Sequence, residues 1–221
     1  MKSSLKANGS RFALAAATWV LVSMSAASAA DALTLNFVTH AAFFSAETKQ
    51  AKTIDPQAFV EDAAAPEAVG PQGIKHVAGF RPAFIDQDAR TLKVFNANGQ
   101  PLGFDLAAWL GATGSVTISD AGAGPVLSAT FLGLKPGGTY SLFENHFDQK
   151  PVGFTPMDGD GANNNFVAAA DGSATVSMKL SRMPTQANAV LLVYHSDGKT
   201  HGAERGPIGV DAHHQLIARP E

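Results

Sequence analysis

Six consecutive apolar residues, Ala189-Val190-Leu191-Leu192-Val193-Tyr194, constrain this chain more than any other feature of its sequence. The run is too short to compete as an ordinary helix. A strand with one wet face alternates apolar and polar residues. A strand apolar on both faces belongs in the middle of a sheet, covered above and below. The run ends at His195-Ser196-Asp197-Gly198, a turn sequence, so the most buried strand is expected to deliver a histidine to the rim of the sheet.

Other strand signals surround it. Leu33 to Val38 alternates apolar and polar residues, and Leu92 to Phe95 is closed by the turn dipeptide Asn98-Gly99. Ser115 to Ser119, Val126 to Leu134, Tyr140 to Phe147, Asn165 to Ala169, Ala174 to Leu180 and His214 to Ala218 follow, each bounded by turn residues. Phe104 to Leu110 reads as one or two helical turns burying Leu106, Trp109 and Leu110, stopped by Gly111 and Gly114. Many short strands with few helical stretches point to an all-β protein, an antiparallel β-sandwich or barrel with one or two short helices.

The first residues have the three parts of a secretory signal. Lys2, Lys6 and Arg11 precede an apolar or small stretch from Phe12 to Met24, and the small residues Ala27-Ser28-Ala29 supply a cleavage site. The stretch is well short of the roughly 20 residues that span a bilayer. Residues 1–29 are therefore expected to be removed, leaving a periplasmic or extracellular protein with no stable membrane anchor. With no cysteine in the chain, no disulfide staples the fold, and a metal site must use His, carboxylate or Met ligands. Losing the signal moves the formal charge from −3 to −6. That dispersed acidic balance argues against nucleic acid and anionic lipid as partners.

Residues 30–90 are expected to form an irregular N-terminal segment packing on a β-sandwich domain at 91–221. Pro56, Pro66, Pro71 and Pro82 preclude a long helix or a central strand, with a short helix expected near Pro56 to Asp62 and a disordered leader as the alternative.

Gly133-Leu134-Lys135-Pro136-Gly137-Gly138-Thr139-Tyr140 resembles the tyrosine corner of fibronectin type III and related immunoglobulin-like sandwiches. The resemblance implies that Tyr140 folds back onto upstream backbone over a buried Leu134, joining strands of two sheets. It covers about eight residues, and the chain continues well past the point where a fibronectin domain has one strand left. An immunoglobulin-like sandwich with an N-terminal extension is the expected architecture.

No nucleophile elbow, zinc helix, phosphate loop or deaminase pattern occurs. The histidines are the informative residues. His195, His201, His213 and His214 lie near the C-terminus around Gly198, Gly202, Gly206 and Gly209, and His146 leaves the corner strand. Imidazole binds copper or zinc, and Asp197 or Asp211 offers a carboxylate ligand or orients a ring. Turn register matters here. A two-residue Asp197-Gly198 turn pairs His195 with Thr200 and sends His201 to the opposite face. A three-residue loop sets both histidines on one face, roughly 7–8 Å apart.

The loop Asp158-Gly159-Asp160-Gly161-Ala162-Asn163-Asn164-Asn165 lacks the EF-hand spacing and its final carboxylate. It is read as a turn, and calcium is not expected. Phe143, Phe147 and Phe154 are core or pocket residues. The expected function is an exported binding protein for a metal ion or small ligand. The alternatives are a hydrolase or lyase using His195 or His213 with Asp197 or Asp211, and an adhesion or carbohydrate-recognition module.

Overall fold

Strand Asn188–His195 sits at the centre of its sheet in the computed structural model, which describes residues 32–120 and 122–221. The expected signal segment lies outside the described residues. In chain order the elements are β1 (Leu33–Asn36), β2 (Val38–Thr39), α1 (His40–Glu47), β3 (Ile54–Glu61), β4 (Ala68–Val69), β5 (Lys75–His76), β6 (Phe80–Phe84), β7 (Lys93–Phe95) and β8 (Pro101–Asp105). Next come α2 (Leu106–Leu110), β9 (Thr113–Asp120), β10 (Pro125–Leu132), β11 (Thr139–His146), β12 (Gly153–Pro156), β13 (Asn165–Val167), β14 (Ala174–Lys179), β15 (Asn188–His195) and β16 (Ala212–Ala218). The protein is mostly β, and its strand pairs are antiparallel, as the short turn-bounded segments require. Among the described residues no helix is long and apolar enough to cross a membrane.

Two sheets face each other. The first runs β1-β9-β10-β14; the central one runs β12-β11-β15-β16-β2, with β13 also on β11. In β10 the alternation is plain: Leu127, Ala129 and Phe131 are buried while Ser128, Thr130 and Leu132 are exposed. In β15 every residue is buried. Val190, Leu192 and Tyr194 join the large core shared with the first sheet. Ala189, Leu191 and Val193 pack on the other side with Phe143 and Ile217, against which Phe43 of α1 and Phe154 are packed. The doubly apolar run is thus the middle strand, covered on both faces.

The segment from Leu33 stitches the layers. β1 pairs with β9 in the first sheet, Phe37 turns into the core, and β2 pairs with β16 in the central sheet. Thr39 then caps α1, its hydroxyl accepting from the Ala42 amide at 3.3 Å.

Residues 41 to 90 depart from expectation. Pro56 to Asp62 lies in and just beyond strand β3, not a helix, and a third sheet runs β6-β3-β7-β8. The prolines are tolerated for positional reasons. Pro56 falls where the β3–β6 register breaks, between Asp55 and Phe59, and Pro82 lies on the edge strand β6. β7 and β8 complete this sheet from beyond residue 90, so a division at 90/91 runs through it. Ala58, Val60 and Ala83 belong to the same core as the first and central sheets.

Between β10 and β11 the chain passes from the first sheet to the central one. There the Lys135 amide donates to the Tyr140 phenol oxygen at 2.9 Å, and Leu134 is buried.

Leu191→Ala should cost about 2–5 kcal/mol, because a fully buried side chain leaves a cavity between two covered faces. Val167→Ala, at an exposed position, should change stability by less than about 0.5 kcal/mol. Urea unfolding of the two variants gives the comparison directly; equal midpoints would contradict the central place of β15.

Candidate metal centre

β15 ends at His195 with Thr139 opposite on one side and Ala212 on the other. The imidazole is buried at 1% exposure, and its Nε2 lies 2.8 Å from Ser141 Oγ, two residues along β11 on the same face. Its Nδ1 has no hydrogen-bond partner.

Beyond His195 the chain follows neither hairpin register. The return strand begins only at Ala212, so residues 196–211 form a long loop above the rim. Gly198 takes φ +72°, and the Lys199 amide donates to Asp197 Oδ1 at 3.1 Å, leaving Oδ2 free to turn toward His201. Two glycines set the loop down. A Cβ on Gly161 would collide with the Gly202–Ala203 backbone, so the 158–165 loop lies directly against it. A Cβ on Gly206, which has φ +80°, would sit 2.9 Å from His201 Nε2.

These supports bring one nitrogen of His195, one of His201 and one oxygen of Asp197 within 4.8 Å of one another. The two imidazole centroids are 5.3 Å apart. His201 Nε2 is 3.3 Å from Asp197 Oδ2, close enough for an ion pair but out of line for a hydrogen bond. His195 Nδ1 and His201 Nε2 are both buried without a hydrogen-bond partner, while the His201 and Asp197 side chains keep 23% and 20% exposure. Burial, reinforced by nearby His201 and opposed by Asp197, pushes His195 down to about 4. Its lone pair is therefore available at neutral pH.

The other three sequence candidates do not join this group. His146 is paired with Asn188 at the far end of the β11–β15 ladder from Thr139 and His195. Its Nε2 lies 2.8 Å from Thr155 Oγ1, and its Nδ1 lies 3.0 Å from Arg182 and 3.1 Å from Asn188. His213 faces the main core opposite Tyr194, because strand alternation turns it away from His195. It donates from Nδ1 to the Gln57 carbonyl at 3.0 Å, and its Nε2 is 3.2 Å from Ser196 Oγ. His214 shares the His195 face but sits opposite Val193, held by Gln57 and packed on His40. Asp211 contributes its backbone carbonyl to the Ser196 amide.

The structure adds residues that sequence reasoning missed. Ser141 orients His195, Gly206 leaves open the space beside His201, and His40 packs edge-on against His214 with centroids 4.8 Å apart. Only pairing register and close approach reveal them. In the 158–165 loop both Asp158 oxygens accept from the loop's own amides, at 2.9 Å from Gly161 and 2.6 Å from Asn163. Comparison with protein-family models, with curated proteins and with solved structures finds no match.

Burial also holds His40 near 3, His213 near 4 and His214 well below its ordinary value, and His195 acts in the same sense. Their folded pKa values lie below the unfolded value of 6.5, so the unfolded chain binds more protons as pH falls. Their contribution is full above 6.5 and is lost as pH drops toward 4 and below. Asp55, raised to about 6 by burial, acts in the opposite direction between 3.8 and 6, but it is one group against four. The urea midpoint should therefore fall steadily from pH 6.5 to pH 4. A flat profile across that range would contradict these buried neutral imidazoles.

Proposed function

We propose that the protein is an exported binding protein that holds a divalent transition metal ion, copper or zinc, through His195, Asp197 and His201. One observation carries this reading: a nitrogen of each imidazole and a carboxylate oxygen lie within 4.8 Å of one another, and each ring has a buried nitrogen without a hydrogen-bond partner. Burying an unpaired polar atom is costly, and an ion would remove the cost at both imidazoles at once. With ligands about 2.0–2.1 Å from zinc, neighbouring donor atoms are about 3.4 Å apart, so the three would close on the ion.

Tautomer and support agree with that role. A metal on His195 Nδ1 leaves the proton on Nε2, where it donates to Ser141 Oγ. Gly206 keeps clear the volume next to His201 Nε2. Three protein ligands near the rim leave a coordination position for water or a small anion. Export rests on the layout of residues 1–29. The passage from β10 to β11 through the Tyr140 corner supports an immunoglobulin-like relation of the two main sheets.

Titration of untagged, chelator-treated protein with zinc and copper(II) should reach one equivalent. His195→Ala and His201→Ala should each weaken binding at least about 100-fold, and Ser141→Ala and Gly206→Ala about tenfold or more. Circular dichroism of each variant reports whether it is folded. Full-affinity binding by folded His195→Ala and His201→Ala proteins would sink the site.

A further inference from the structure

A second feature lies on the same face of the central sheet, apart from the three ligands above. Helix α1 and the strand β12 leave a cavity of about 300 Å³ over β11, walled by Phe43, Phe44, Phe147, Val152 and Phe154. An adjoining cavity of about 370 Å³ shares Gln72, Val152, Phe154 and His214 with it and adds Arg205. Together they make a mostly apolar channel with Arg205 in one cavity and Glu47, 3.6 Å from Arg219, in the other. Its size is that of a small-molecule site.

Hydrogen bonding fixes the chemistry at the Arg205 end. The His214 backbone amide donates to Gln57 Oε1 at 2.7 Å, and this buried amide fixes which way the Gln57 side chain points. Gln57 Nε2 is then a donor, to Gln72 Oε1 at 2.7 Å and to His214 Nδ1 at 3.0 Å. His214 must accept at Nδ1 and carry its proton on Nε2. That proton faces Arg205, whose guanidinium nitrogen is 3.3 Å from His214 Nε2. Two donors therefore point at one another with no acceptor between them.

Among the described residues no carboxylate lies within ion-pair distance of Arg205. Its guanidinium carbon is stacked 3.1 Å from the Phe154 centroid. Burial lowers its pKa to about 10, which leaves it cationic at neutral pH.

Away from Arg205, two buried polar atoms stand open. Asn145 Oδ1 and His40 Nδ1 are buried, belong to residues lining the cavity, and have no partner. His40 Nε2 lies 3.4 Å from His214 Nδ1, whose lone pair already accepts from Gln57 Nε2.

We propose that this channel binds a small aromatic monocarboxylate. Its carboxylate accepts from Arg205 and His214 Nε2–H, and its ring lies along Phe154 toward Phe147 and Phe43. A hydroxyl substituent at the far end of the ring hydrogen-bonds to Asn145 and His40. The site is independent of the metal centre, so it is tested on metal-free protein.

Calorimetric titration at neutral pH with a chelator present compares benzoate, para-hydroxybenzoate and benzamide. Benzamide keeps the ring but lacks the charge. Benzoate should bind at least about tenfold more tightly than benzamide, and para-hydroxybenzoate more tightly still. Arg205→Gln should remove the preference for benzoate over benzamide. Equal affinity for benzoate and benzamide in the wild-type protein would overturn the assignment, as would no binding of either acid at about 10 mM. The benzoate–benzamide comparison uses the unaltered chain, so it stands even if the Arg205 variant is unstable.

Discussion

Strand β15 has no wet face, and two different layers have to cover it. On one side the first sheet supplies the alternating apolar residues of β9 and β10; on the other, α1 and β12 bring Phe43 and Phe154. A buried strand leaves no exposed backbone to satisfy with water, so its neighbours β11 and β16 pair along its length. The polar groups at its end inherit that burial. His195 is a rim residue by sequence position and a buried one by packing.

Gln57 ties the third sheet to this centre. β2 pairs with β16 only at Leu216 and Ile217, which leaves the His214 amide without a strand partner on that side. The broken register of β3 brings Gln57 there instead. Its carbonyl accepts from His213, its side-chain oxygen from the His214 amide, and its nitrogen donates to His214 Nδ1. A wholly buried glutamine with these bonds satisfied is a stable way to join two sheets. It also sets the proton of His214, and with it the electrostatic character of the cavity above.

The loop 196–211 connects the two candidate sites. His201 faces His195 and Asp197, while Arg205, four residues on, leans over Phe154. Gly206, next to Arg205 in the chain, lies against the His201 ring. His195, His214, the Arg205 guanidinium and several buried polar atoms without hydrogen-bond partners are gathered on one face of one sheet. The opposite face carries the ordinary hydrophobic core.

The sequence by itself determined the all-β class, the place of Ala189 to Tyr194 at the centre of a sheet, the short helix burying Leu106 and Trp109, and the pairing of His195 with a turn. Local periodicity and turn chemistry act within a few residues, so they are legible in one dimension. Tertiary structure decided the rest. It turned the Pro-rich stretch into a third sheet, because proline is harmless at an edge strand or a register break. It selected Asp197 and His201 as partners of His195 and set His146 and His213 apart, because register and strand alternation assign each side chain an end and a face. It brought His40 and Gln57 to His214 across more than 150 residues of chain. No spacing rule reaches that far, since such contacts exist only once the layers have packed.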